Sequence, residues 1–150
     1  MAERRLLAAA LILLFAAGPA GCAKEPDAQE LLARGVEHYQ EGDFDAAIES
    51  FRAVLAAEPG SAAGYNHLGM AYRMKYNILR DLEWKERETE AFRSSVGADS
   101  TYWPAHVNLG ATLYYLGKKD EAAPFFRKAL ELFPDNPERE QLEAMIAEGE

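Results

Sequence analysis

Apolar residues recur through residues 28–134 at helical rather than strand spacing, in blocks punctuated by Gly, Asp and Pro. The last block, 103–134, reads as two short amphipathic helices. His106, Leu109, Gly110 and Leu113 share one face of the first. Gly117 marks a turn that needs a residue free of Cβ constraint. Ala122, Phe125, Phe126, Ala129, Leu130 and Phe133 form the stripe of the second helix, and Pro134 stops it. Gly110 and Ala122 let the two backbones approach closely, and Phe126 is predicted to fill the wedge beside them.

The same block occurs twice upstream. Residues 28–61 carry Leu31, Gly35, the turn pair Gly42-Asp43, then Ala47, Phe51, Leu55 and Pro59. Residues 62–102 carry Tyr65, Leu68, Gly69 and Tyr72, then Phe92, Ser95 and Val96. The step from Ala28 to Ala62 is 34 residues and the step from Ala62 to Trp103 is 41, so the middle unit is seven residues longer. Seven residues is close to two helical turns, which predicts about one extra turn on each helix of that hairpin. Its turn is expected near Arg80-Asp81, with Asn77 a competing break. Beyond Pro134, residues 135–150 read as a terminal helix: Asn136 at the N-cap, Pro137 at the first position, Glu138 in the first turn, and an apolar stripe of Leu142, Met145 and Ile146.

This pattern resembles the tetratricopeptide repeat, a helix-turn-helix unit of about 34 residues with small residues at the helix crossing. Leu109, Gly110, Ala122, Phe126, Ala129 and Pro134 match its signature. His106 stands where Trp is frequent, Leu113 where Tyr is, and Arg34 where Leu is usual. Glu88 departs further, standing where the family has a small Ala. The resemblance implies an all-α fold of three tandem units (28–61, 62–102 and 103–134) in a short right-handed superhelix with a C-terminal capping helix. It also implies a concave groove, lined by the first helices, that holds a partner peptide or helix. The corresponding positions are Leu32, Val36, Tyr39 and Gln40; Asn66, Met70, Arg73 and Met74; and Val107, Asn108, Ala111, Tyr114 and Tyr115. Tyr and Met give such a surface contact area and adaptable packing. Asn66, Asn108 and Arg73 are candidate contacts to a partner's backbone or carboxylates. Family members that grip a C-terminal carboxylate use Lys, Arg and Asn at set groove positions. Here Leu32, Val36, His67 and Pro104 stand there, which argues against that ligand class. The tip of the long hairpin, Ile78, Leu82 and Trp84, is expected to form a second surface.

The beginning of the chain carries a different signal. Arg4 and Arg5 precede an apolar run from Leu6 to Ala17, followed by small residues up to Cys22, the one cysteine of the chain. Such a run is a secretory signal peptide, too short for a stable membrane span. Pro19-Ala20-Gly21-Cys22 resembles the lipobox of bacterial lipoproteins. That resemblance implies removal of residues 1–21, acylation of Cys22, a tether over 22–27, and an outer-membrane anchor facing the periplasm, since no Asp follows the cysteine. An ordinary cut after Ala23 is the alternative and gives a soluble periplasmic or secreted module.

The formal net charge is −9. Without residues 1–21 there remain 14 basic and 24 acidic residues, a net charge of −10. An acidic surface repels phosphate backbones, so nucleic acid is not an expected partner. His38, His67 and His106 fall at spacings that match no metal motif. There is no phosphate-binding glycine loop, nucleophile elbow or zinc-protease helix. Neither a cofactor, a metal nor catalysis is expected. The sequence therefore points to a protein-binding adaptor of the bacterial envelope, with an accessory subunit of an envelope enzyme as a further alternative.

Overall fold

The first four helices start at residues whose side chains cap them. In the structure, a computed structural model describing residues 26–150, α1 spans Ala28–Glu41, α2 Phe44–Ala57, α3 Ala62–Leu79, α4 Leu82–Ala98, α5 Trp103–Tyr115, α6 Lys119–Leu132 and α7 Arg139–Ala147. Among the described residues there is no strand. Residues 1–25, which include Cys22 and where the signal peptide and most of the 22–27 tether are expected, lie outside them. Side chains of Asp27, Asp43, Ser61 and Asp81 accept hydrogen bonds from the free amides of the first turns of α1 to α4, each worth about 1 kcal/mol. Gly42 and Gly117 end α1 and α5 regions in left-handed conformation, at φ 81° and 80°. The matching position after α3 is Arg80, at φ 57°, where a side chain is disfavoured.

The hairpin turn of the middle unit is thus Arg80-Asp81, and α3 runs through Asn77. α3 has 18 residues against 14 in α1, and α4 has 17 against 14 in α2. The seven additional residues divide between the two helices, and this hairpin overhangs its neighbours.

One contact repeats in all three units. A Cβ built on Gly69 would lie 2.6 Å from the ring of Phe92, and one on Gly110 2.7 Å from Phe126; Gly35 and Phe51 stand in the same relation. Phe51, Phe92 and Phe126 are fully buried. Glycine is needed at these crossings because the aromatic ring occupies the space of its missing side chain. The apolar residues form two cores. The first holds Ala47, Ile48, Phe51, Leu68, Ala71, Tyr72 and Ala91. The second holds Phe92, Leu109, Leu113, Ala122, Phe126 and Leu142. Adjacent residues of α4, Ala91 and Phe92, enter different cores, so this helix joins the two halves.

α7 closes the second core with Leu142, and Met145 and Ile146 pack beside it. It begins at Arg139, later than the sequence reading. Asn136 does use its side chain as a cap, accepting from the Glu138 amide at 2.8 Å. Its carbonyl accepts from the Arg139 amide at 3.0 Å, so residues 136–139 make one tight turn before the helix. No helix among the described residues is long and apolar enough to cross a membrane.

Candidate partner-binding groove

The first helices of the three hairpins, α1, α3 and α5, lie side by side, with α3 touching both others. Their shared face carries the residues singled out above, and the structure sorts them. Leu32, Val36 and Tyr39 are half-buried against the first core. Met70, Val107, Ala111 and Tyr114 are half-buried against the second. Met74 is also half-buried, and Gln40 is exposed. Burial raises the Tyr39 phenol above its ordinary value, and the charge of Arg73 opposes that shift.

The polar candidates are bound to one another. Asn108 donates to Asn66 at 2.9 Å. Arg73 donates through Nη1 to the Asn108 side chain at 3.0 Å and through Nη2 to the Asn108 carbonyl at 3.2 Å and the Thr112 hydroxyl at 3.1 Å. These bonds span α3 and α5 and tie the second unit to the third. Most of the hydrogen-bonding capacity assigned to a partner at Arg73 and Asn108 is therefore used inside the chain.

The centre of this network is Glu88, which is fully buried. It occupies the place that Ala47 and Ala122 fill in the other units, four residues before the wedge phenylalanine. The Phe92–Gly69 contact fixes the register, so the charge does point inward. Its Oε1 accepts from Arg73 at 2.8 Å and from Thr112 at 2.8 Å, and its Oε2 accepts from Lys85 at 2.6 Å. A buried carboxylate persists only when it is paired and hydrogen-bonded, and here both oxygens are engaged. Arg73 also lies 4.8 Å from the centre of the Phe92 ring.

Above this network is a cleft of about 390 Å³ lined by Arg73, Tyr76, Asn77, Lys85, Glu88, Ala111, Thr112, Tyr115 and Leu116. It exists because α3 continues past the level at which α5 stops, so Tyr76 and Asn77 overhang the end of α5. Tyr115 is 74% exposed. Tyr114, its neighbour, turns away toward the C-terminus: its hydroxyl donates to Glu148 at 2.6 Å, and Lys119 lies 4.9 Å from its ring centre. The hairpin tip also differs from the sequence reading. Ile78, Leu79 and Leu82 are exposed. Trp84 instead packs against the first core and the Tyr72 ring, with Lys75 over its face. One turn beyond the tip, it already lies where α4 meets the core.

Two of the histidines pair with backbone carbonyls close by in the chain. His67 Nδ1 is 2.9 Å from the Ala63 carbonyl, and His106 Nε2 is 2.9 Å from the Ser100 carbonyl. Among the described residues no group of three or more His, Cys, Asp or Glu side chains could hold a metal ion. The sequence reading missed Lys85, Thr112 and the pairing of Glu88. A signal was present: Arg73 aligns with Tyr39 and Tyr114 of the flanking units, so both departures, Arg for Tyr and Glu for Ala, fall in the same unit.

Comparison with known proteins agrees with this architecture. The family described as tetratricopeptide repeat matches residues 32–84 and 103–136, together more than half of the chain. "Protein bimA" of Emericella nidulans is 30% identical over 94 residues, 63% of this chain and 11% of that protein. The curated relatives that the chain matches are far longer, and it spans only 11–17% of their lengths. The first repeat domain of Spaghetti (RPAP3), solved bound to the HSP90 peptide SRMEEVD, superposes with a TM-score of 0.68 at 23% identity, covering 81% of this chain and 92% of that one. The Yersinia enterocolitica type III secretion chaperone SycD, solved with a peptide of the translocator YopD, gives 0.66 at 16% identity, covering 80% and 89%. With the recurring Gly–Phe crossing in each of three hairpins, these matches place the chain in the tetratricopeptide-repeat family.

Proposed function

We propose that this repeat protein is an adaptor of the bacterial cell envelope, acylated at Cys22, that holds an extended or helical segment of a partner protein along α1, α3 and α5. The observation that carries this reading is the face itself. Three helices from three units place Leu32, Val36, Met70, Met74 and Val107 side by side, half-buried and without a further layer of the described chain over them. Solved structures of the same fold hold bound peptides, which supports a peptide or helix as the ligand. The carboxylate-gripping positions hold Leu32, Val36, His67 and Pro104, so recognition along the groove rests on apolar contact. The short segment between Cys22 and Asp27 would hold the repeats near the membrane, since its reach is under about 20 Å.

The test has two arms. The mature N-terminus is read by mass spectrometry, and Cys22→Ser is followed by fractionation. Acyl mass on Cys22 and release of the variant to the soluble periplasm are expected; unmodified Cys22 with unchanged membrane association overturns the anchor. For the groove, wild type and Met70→Glu are used to recover partners from detergent-solubilised envelopes. One partner, lost with Met70→Glu while the helical circular dichroism is retained, is expected. Equal recovery by both overturns the groove.

A further inference from the structure

We propose that the cleft beneath the overhang of the α3–α4 hairpin is a specificity pocket for an acidic side chain and a large apolar side chain adjacent to it in the partner segment. This rests on the reading that a protein segment lies along α1, α3 and α5, and it names what that segment carries.

Local charge is the first argument. The chain is acidic overall, yet two cations and one carboxylate meet at this cleft. The carboxylate presents nothing to a ligand, because Glu88 is fully buried with both oxygens engaged. The cations keep surface: the Arg73 side chain is 28% exposed and that of Lys85 17%. Their donors are also incompletely used. The Lys85 ammonium gives one hydrogen bond to Glu88 and has three hydrogens to give. Arg73 places four hydrogen bonds, on Glu88, Asn108 and Thr112, and has five N–H groups. An entering carboxylate meets about three free N–H donors and no competing anion.

Shape is the second argument. The lining also includes Tyr76, Tyr115 and Leu116. Tyr115 is 74% and Leu116 45% exposed, and neither has a covering element in the described chain. Lys85 lies 4.4 Å from the Tyr76 ring centre, so charge and aromatic surface adjoin without a gap. The volume, about 390 Å³, is at the lower end of the range of about 300–1,000 Å³ for ligand clefts, enough for side chains but not for a folded element. Arg73, Ala111 and Tyr115 belong both to the pocket lining and to the face of α3 and α5, so a segment lying on that face reaches the pocket directly.

Amide chemical-shift titration of the isotope-labelled full chain in mild detergent tests this, with Ac-Glu-Phe-NH2, Ac-Gln-Phe-NH2, Ac-Glu-Gly-NH2 and inorganic phosphate as probes up to about 10 mM, a range that reaches weak single-site contacts. The Glu-Phe probe is expected to shift the amides around Tyr76, Thr112 and Tyr115 saturably. The Gln-Phe and Glu-Gly probes should bind at least about fivefold more weakly, and added salt should weaken the Glu-Phe shift. Tyr115→Ala, a change at an exposed side chain, and Lys85→Gln should each weaken the Glu-Phe probe at least about threefold. Equal shifts from Gln-Phe, equal shifts from phosphate, or no saturable shift at the cleft overturns the inference. A partner that is lost with Met70→Glu but indifferent to Lys85→Gln and Tyr115→Ala leaves the groove reading standing and removes only the pocket. A partner indifferent to Met70→Glu removes the groove reading, whatever the dipeptides do.

Discussion

Replacing Arg73 with Met should destabilise the protein more than removing both Arg73 and its acid. Glu88 is fully buried where two sister units have alanine, so its charge has no access to water when a partner is withdrawn. Breaking a buried pair by removing one member costs about 3–5 kcal/mol. Lys85 at 2.6 Å and Thr112 at 2.8 Å remain on the carboxylate, which brings the expected loss for Arg73→Met to about 2–4 kcal/mol. Glu88→Ala removes the buried charge and installs the residue of Ala47 and Ala122. Arg73 then keeps Asn108 and Thr112 and turns its freed Nε–H toward solvent, so the loss should be about 1–2 kcal/mol. The double variant should lose no more than about 2 kcal/mol, less than Arg73→Met alone. Urea unfolding followed by far-UV circular dichroism measures all three. A loss under about 1 kcal/mol for Arg73→Met would mean that the pair behaves as a surface ion pair. Additive losses in the double variant would likewise refute the reasoning, because they deny any coupling between the two side chains.

Arg80→Gly should raise stability by about 0.5–1 kcal/mol by relieving a side chain at φ 57°; a lowered urea midpoint contradicts this. Gly69→Ala drives a Cβ to within 2.6 Å of Phe92 and should cost about 1–3 kcal/mol, whereas Gly97→Ala meets nothing within 4 Å and should be neutral or slightly stabilising in the same assay. Phe126→Ala empties a fully buried site and should cost about 3–5 kcal/mol, while Tyr115→Ala should stay within about 0.5 kcal/mol of wild type. The C-terminal tie is pH-dependent. Hydrogen bonds from Lys119 and then Tyr114 hold the Glu148 carboxyl below its ordinary value. Its contribution is present above the unfolded-state value and is lost as pH falls through the lowered folded value. The Lys119 ammonium, raised by its hydrogen bond to Glu148, loses its share only as pH rises through its raised value. Amide protection of Glu148 and Gly149 should therefore fall in acid, and Glu148→Gln should remove the dependence.

The repeat was legible because its determinants are local and periodic. Gly35, Gly69 and Gly110 each precede their wedge phenylalanine across one turn, and Gly42-Asp43 and Gly117 announce turns by chemistry that tertiary packing does not alter. The extra length of the middle unit was legible as arithmetic on those landmarks. What was not legible is non-local. Glu88 and Arg73 meet because two helices of one hairpin cross, and Thr112 joins them from the next unit, so no spacing within one helix reveals the network. The repeat pattern assigns residues of α1, α3 and α5 to one face, but it does not give the partners of each side chain. Asn66, Arg73 and Asn108 bond to one another, and Tyr114 is drawn to Glu148 by a segment outside the repeats. Trp84 departed for a related reason: lengthening α3 moved the tip beyond it and left its ring against Tyr72.

Site-specific photo-crosslinking tests the central claim most directly. A photoreactive residue is placed in turn at Val36, Met70 and Val107 on the face of α1, α3 and α5, and at the exposed Arg52, Arg93 and Lys128 on the second helices. After irradiation of intact cells, one partner should be captured from all three positions of the first set and from none of the second. Capture from the second set alone would place the partner on the opposite side of the repeats and contradict the groove.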